Sequence, residues 1–168
     1  MRRLLFALAY ASNGDSILGI GTYVGYVIAW LVGGVVCRTE RTEVIGVDPD
    51  DDANRLARRN LSTLHGITRL KILDAEAKAV LPTLDTRFDI VLLDLDSPLT
   101  GKLGYVEVLE MAAEWLPSGA LVVAHDASVP RFADDFVAYH SLVNGHPRLR
   151  GPWVLAVDEC GLSVAVVS

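Results

Sequence analysis

Gly21, Asp48, Asp74, the pair Asp94 and Asp96, and the pair His125 and Asp126 recur at wide, similar intervals, each just behind a short apolar run. Their types suit particular chemistry. Gly21 belongs to Gly-Ile-Gly-Thr-Tyr-Val-Gly, a turn whose glycines let the backbone approach a ligand closely and whose following helix offers free N–H groups. The Asp48 carboxylate can accept hydrogen bonds from two neighbouring hydroxyls at once. Asp94, Asp96 and Asp126 offer hard oxygens of the kind Mg²⁺ prefers. His125 has an intrinsic pKa near neutrality, so it could take up a proton or ligate a transition metal. Any one of these residues alone reads as an ordinary helix cap. The regular row is what calls for elements that hold it together.

Those elements are legible. Residues 16–20 form a short buried strand and 23–32 a helix behind the glycine turn. Residues 43–47 form a second strand ending at Asp48. A helix over 50–64 follows, with Ala53, Leu56, Ala57, Leu61 and Leu64 at helical spacing and acids at its N-terminus. Strands over 69–73, 88–93 and 120–124 alternate with helices over 75–81 and 105–115. A last helix after Pro130 carries Phe132, Phe136, Tyr139 and Val143 on one face, and strands over 153–157 and 162–167 close the chain as a hairpin. Such alternation, with nearly continuous apolar strands, predicts an α/β fold: a Rossmann-like, doubly wound, mostly parallel sheet covered on both faces. Ligands in such folds sit beyond the carboxyl ends of the strands, where the polar row lies.

The run from Ser16 to Cys37 has no charged residue and is long enough to cross a bilayer. Five glycines interrupt it, at a cost of about 1 kcal/mol each in a helix, and a regular soluble alternation follows. Strand, turn and helix is therefore the reading, and no membrane partner is expected. The first eleven residues imitate a short signal peptide, but their apolar part is near the lower limit for one. The alternative taken here is an amphipathic helix packing Leu4, Leu5, Leu8 and Ala11 on a single domain spanning 1–168, in the cytoplasm. The net charge of −6 and the scattered arginines give no basic stripe, so no nucleic-acid partner is expected. Cys37 and Cys160 match no metal spacing. Lys102 reads as an exposed lysine or as one that meets an anionic substrate, and His65, His140 and His146 read as surface residues.

The glycine turn, Asp48 and the Asp74-Ala75 corner together describe an adenosine-shaped groove. With Ile-Gly-Thr-Tyr-Val-Gly-Tyr, Val-Ile-Gly-Val-Asp, Leu-Asp-Ala, Phe-Asp-Ile-Val-Leu-Leu-Asp-Leu-Asp and Pro-Ser-Gly-Ala-Leu-Val-Val in this order, the chain resembles the S-adenosylmethionine (SAM)-dependent O-methyltransferases of the catechol and caffeoyl-CoA type. The resemblance implies a class I methyltransferase fold with an antiparallel last strand. It implies that Gly21, Thr22, Tyr23 and Gly25 line the methionine part of SAM, that Asp48 holds the ribose and Asp74-Ala75 the adenine, and that Asp94 lies beside the sulfonium. Asp94 and Asp126 would be the ligands of a divalent cation such as Mg²⁺. The chain departs from that family's pattern at Gly19, where an acid is usual, at Val27, where Ser or Thr is frequent, and at Ser97, where Lys is frequent. It also has His125-Asp126-Ala127 where metal-dependent members have Asp-Asn.

The expected reaction is methylation of a small-molecule hydroxyl. Two routes could deprotonate the acceptor: a metal on Asp94 and Asp126, or His125 as general base. The alternative is a methyltransferase-like protein that binds the cofactor without transferring methyl, and Gly19, Val27 and Ser97 favour it. The short lead-in leaves the cleft open, which makes a homodimer an expected partner arrangement.

Overall fold

The computed structural model describes residues 1–39, 41–64, 68–85 and 87–168, and Thr68 by its backbone alone. In chain order the main elements are α1 (Arg2–Ala11), β1 (Ser16–Ile20), α2 (Tyr26–Val36), β2 (Thr42–Asp48), α3 (Asp51–Asn60), β3 (Thr68–Asp74), α4 (Ala77–Val80), β4 (Ile90–Leu93), α5 (Gly104–Ala112), β5 (Leu121–His125), α6 (Ala133–Gly145), β6 (Leu149–Leu155) and β7 (Leu162–Val167). The seven strands make one sheet in the order β3-β2-β1-β4-β5-β7-β6. The first five pair in parallel and β7 runs antiparallel to both its neighbours.

Side-chain alternation along each strand divides the interior in two. Leu18, Val91 and Val122 point to a core closed by α4, α5 and α6. Ile17, Ile90 and Val123 point the other way, to a core closed by α1 and α2. Both faces are covered, which is why the strands read as unbroken apolar runs.

The glycines of the uncharged run have separate uses. Gly21 and Gly25 take positive φ in the turn. A Cβ on Gly34 would lie 2.9 Å from the Ala9 Cβ and run into the Phe6 carbonyl, so the bare α2 backbone there is what lets α1 approach. Among the described residues no helix is long and apolar enough to cross a membrane.

Several boundaries differ from expectation. The glycine turn occupies more chain than the pattern suggested, so α2 begins at Tyr26 rather than at residue 23. The helix after Asp50 ends at Asn60, and a 3₁₀ turn over Ser62–Leu64 continues it. Strand β6 covers Leu149–Leu155 instead of 153–157: it contains Gly151 and Pro152 and shifts register against β7 between Arg150 and Trp153, which hid its start. On α1, Leu5 and Ala9 are buried, whereas Ala11 is exposed.

Candidate functional site

The chain winds outward from β1 to β2 and β3, then returns to place β4 on the other side of β1. Ligands favour such a switch point because the loops diverge there and leave a crevice. Here the crevice is a cavity of about 630 Å³. Its floor is the Gly21 turn beside the end of β4. A Cβ on Gly21 would fall 2.5 Å from the Leu95 backbone nitrogen, so only glycine allows this approach.

Four of the expected cofactor residues line the cavity: Gly21, Tyr23, Asp48 and Asp94. Asp48 is held in place from both sides. One carboxylate oxygen accepts the Tyr23 N–H at 2.8 Å and the other accepts the Asp50 N–H at 3.0 Å. Tyr23 itself has φ of 45°, an unusual conformation for an aromatic residue, and the Asp48 contact holds it there. Each Asp48 oxygen retains acceptor capacity toward the cavity.

The other four expected residues are placed differently. Thr22 turns inward, buried over Gly46, and its hydroxyl has no hydrogen-bond partner among the described residues. Gly25 is the N-cap of α2 and packs on Leu61. The Asp74 carboxylate turns to the Arg58 guanidinium, which it meets at 2.6 and 2.7 Å; that hydrogen bond holds its pKa below the usual carboxylate range. Ala75 gives its N–H to the Asp48 carbonyl at 3.2 Å. From this corner the cavity is lined instead by Glu76 and Ala77, two residues further along the chain. Their place was not legible, because the Leu-Asp-Ala motif at the end of β3 pointed to Asp74 and Ala75 and not to the residues that follow.

At the other end, the tips of β4 and β5 bring four ionisable groups together. His125 Nδ1 is 2.9 Å from an Asp126 oxygen and 3.2 Å from an Asp94 oxygen. Both are ion-pair distances, and neither oxygen is aligned for a hydrogen bond with the ring nitrogen. The fourth group is Lys102, which is 1% exposed and thus the reverse of the expected surface lysine. Its Nζ is 2.9 Å from Asp126 and 3.8 Å from Asp94, and it lies over the rings of Tyr105 and Phe132 at 5.3 and 5.0 Å. Its own N–H is tied to Asp135 at 2.8 Å. Asp126 adopts φ of 66°, which swings its carboxylate toward both cations.

These contacts set the charges. Burial alone would lower the His125 pKa, but Asp126 and Asp94 outweigh it and push the pKa up to about 9. Burial would raise Asp126, yet His125 and Lys102 hold it well below the ordinary range. His125 is therefore an imidazolium at neutral pH, which corrects the expectation of a general base. The ring also stands behind the cavity wall, with Nε2 2.8 Å from the Met1 sulfur.

The pair expected to bind a divalent ion is Asp94 and Asp126, and a lysine ammonium already reaches both. Mg²⁺ requires oxygens at about 2.0–2.1 Å in near-octahedral array, and this arrangement does not fit it. A second grouping, His125, Asp126 and Cys160, has ligand atoms within 4.8 Å of one another, but it uses the same Asp126. Of the remaining histidines, His140 is half-buried, 3.0 Å from the Ser163 hydroxyl and packed edge-on against Phe136, and His146 faces Glu114; His65 lies outside the described residues.

Comparison with solved structures finds the same fold. TomG from Streptomyces achromogenes, an O-methyltransferase involved in tomaymycin synthesis solved in complex with SAM, is 20% identical, with 99% of this chain and 79% of that one covered and a TM-score of 0.81. An O-methyltransferase from Bacillus cereus in complex with S-adenosylhomocysteine (SAH) is 20% identical, with 99% and 80% covered and a TM-score of 0.78. The SAH-bound methyltransferase PaMTH1 of Podospora anserina is 18% identical, with 99% and 77% covered and a TM-score of 0.77. No curated protein matches the chain. The sequence pattern of the methyltransferase domain matches residues 18–127, from β1 through the Asp126 corner. With that match over most of its length, and with the cavity lying where β1 and β4 part, the chain belongs to the methyltransferase-domain family.

Proposed function

We propose that this chain binds SAM in the cavity and methylates a hydroxyl oxygen of a small molecule. The observation that carries the reading is the charge of the cavity wall. Asp48, Asp50, Glu76, Asp94, Asp96 and Asp126 line it, against a single lysine. Such a wall attracts a cofactor that carries a sulfonium and an ammonium, and repels the pyrophosphate of a dinucleotide. Structural neighbours of the same fold hold SAM or SAH at 18–20% identity.

When bound, SAM supplies an electrophilic methyl group: the acceptor oxygen forms the new C–O bond as the C–S bond breaks, and that electron pair stays on sulfur. The chain's residues bind and align. Asp48 accepts the two ribose hydroxyls, Gly21 and Tyr23 line the methionine side, and Glu76 and Ala77 flank the base. Asp94 takes the acceptor's proton and releases it to solvent. His125 is a positioning residue that orients Asp94 and Asp126. The acceptor enters beside Ser97, Pro98 and Arg131, where a second cavity of about 400 Å³ adjoins the first.

Calorimetry with SAM and SAH tests the binding, and methyl transfer to a panel of phenols tests the reaction. Asp48→Ala is expected to weaken SAM binding roughly tenfold or more, since two charge-assisted hydrogen bonds are lost. Unchanged affinity in that variant would remove the reading.

A further inference from the structure

The loop between β4 and α5 drives a lysine inward to the place where the Asp94 and Asp126 carboxylates converge. Lys102 is almost wholly buried, and an ammonium in such a setting is tolerable only when paired. Its partners are Asp126 at 2.9 Å and Asp94 at 3.8 Å, with the faces of Tyr105 and Phe132 closing the other sides. The loop is locked by the Lys102 N–H to Asp135, whose carboxylate also lies against Gly101 at φ of 55°. A Cβ there would strike that carboxylate, so loop and lysine are built as a unit.

We propose that the Lys102 ammonium is a built-in replacement for a divalent cation between Asp94 and Asp126, so that the site works without a metal. Resting on the methyl-transfer reading above, this assigns Lys102 the task of neutralising the carboxylate pair and facing the acceptor oxygen from the cavity wall. An ammonium stabilises an oxyanion, as a cation nearby must. It does so with one charge and three donors, and it cannot be removed by a chelator. A divalent ion would have to expel a buried ammonium whose ion pairs, among the described residues, are with Asp94 and Asp126.

The test is Mn²⁺ titration of the full chain, read by electron paramagnetic resonance. Wild type and Asp126→Asn are expected to show the same weak, nonspecific Mn²⁺ uptake. Lys102→Met, which keeps the length and drops the charge, leaves the His125 ring as the remaining cation beside the carboxylate pair and is expected to tighten Mn²⁺ binding by at least about tenfold, and adding Asp126→Asn is expected to abolish that gain. A merely structural lysine would give no such gain. Tight Mn²⁺ binding by wild type that disappears in Asp126→Asn would overturn the proposal, and so would a folded Lys102→Met with no gain. If Lys102→Met loses its cooperative melt, the wild-type and Asp126→Asn pair decides alone. SAM calorimetry is independent of this titration: its failure would remove the methyl-transfer reading and leave the Mn²⁺ outcome standing.

Discussion

His125 shows how neighbours decide a residue's chemistry. An isolated histidine titrates near 6.5, and burial pushes it lower. Two carboxylates at 2.9 and 3.2 Å reverse the sign, to about 9. Because the folded pKa is the higher one, this stabilisation is fully present below about pH 6.5 and is lost as pH rises through about 9. The expected NMR titration midpoint of the His125 ring is near 9, moving back toward the ordinary value in Asp126→Asn. A midpoint near 6.5 in the wild type would show that the ion pairs do not form. Glycine is informative at the same scale. At residue 19, a Cβ would overlap the Ile28 side chain, so the space beside Gly19 is filled from α2. Reading the chain alone, Gly19 was a missing contact; in the fold it is half of a packed pair.

Among the elements, α1 and α2 behave as one unit. The seam is made by Gly33 and Gly34, with Phe6 and Ala9 lying across them. A side chain at residue 34 has nowhere to go, because the nearest obstacle is the α1 backbone itself. Gly34→Leu is expected to push α1 away and to destabilise the fold by roughly 1–3 kcal/mol, the usual cost of overpacking, with a lower melting temperature as the readout. No change in melting temperature would mean that α1 packs elsewhere. Strand and helix identities were legible here because apolar periodicity distinguishes them. Strand β1 and strand β7 were read to the residue. The start of β6 was not, since a strand broken by Gly151 and Pro152 loses its alternation while its pairing to β7 survives.

At the scale of the whole molecule, charge and topology act together. The chain carries a net charge of −6 and gathers six carboxylates around one cavity. SAM bears a net positive charge that SAH lacks, so raising the salt from about 0.05 to about 0.5 M is expected to weaken SAM binding several-fold more than SAH binding, as the Debye length contracts. Calorimetry across that range gives the comparison, and equal salt dependence would show that the acids do not act on the sulfonium. What the sequence by itself determined is the doubly wound sheet and the row of polar residues at its strand ends, because period-two and helical spacing are local properties, and Asp48 follows directly on the apolar run of its strand. Only the tertiary structure decided which of those residues meet. Asp74 turns away to Arg58, Glu76 takes a place in the wall, and Lys102 reaches Asp126 across the tips of two strands. Such contacts depend on loop paths and side-chain burial, which leave no periodic mark in the chain, and so a lysine that looked like solvent-facing surface turned out to be the buried cation of the site.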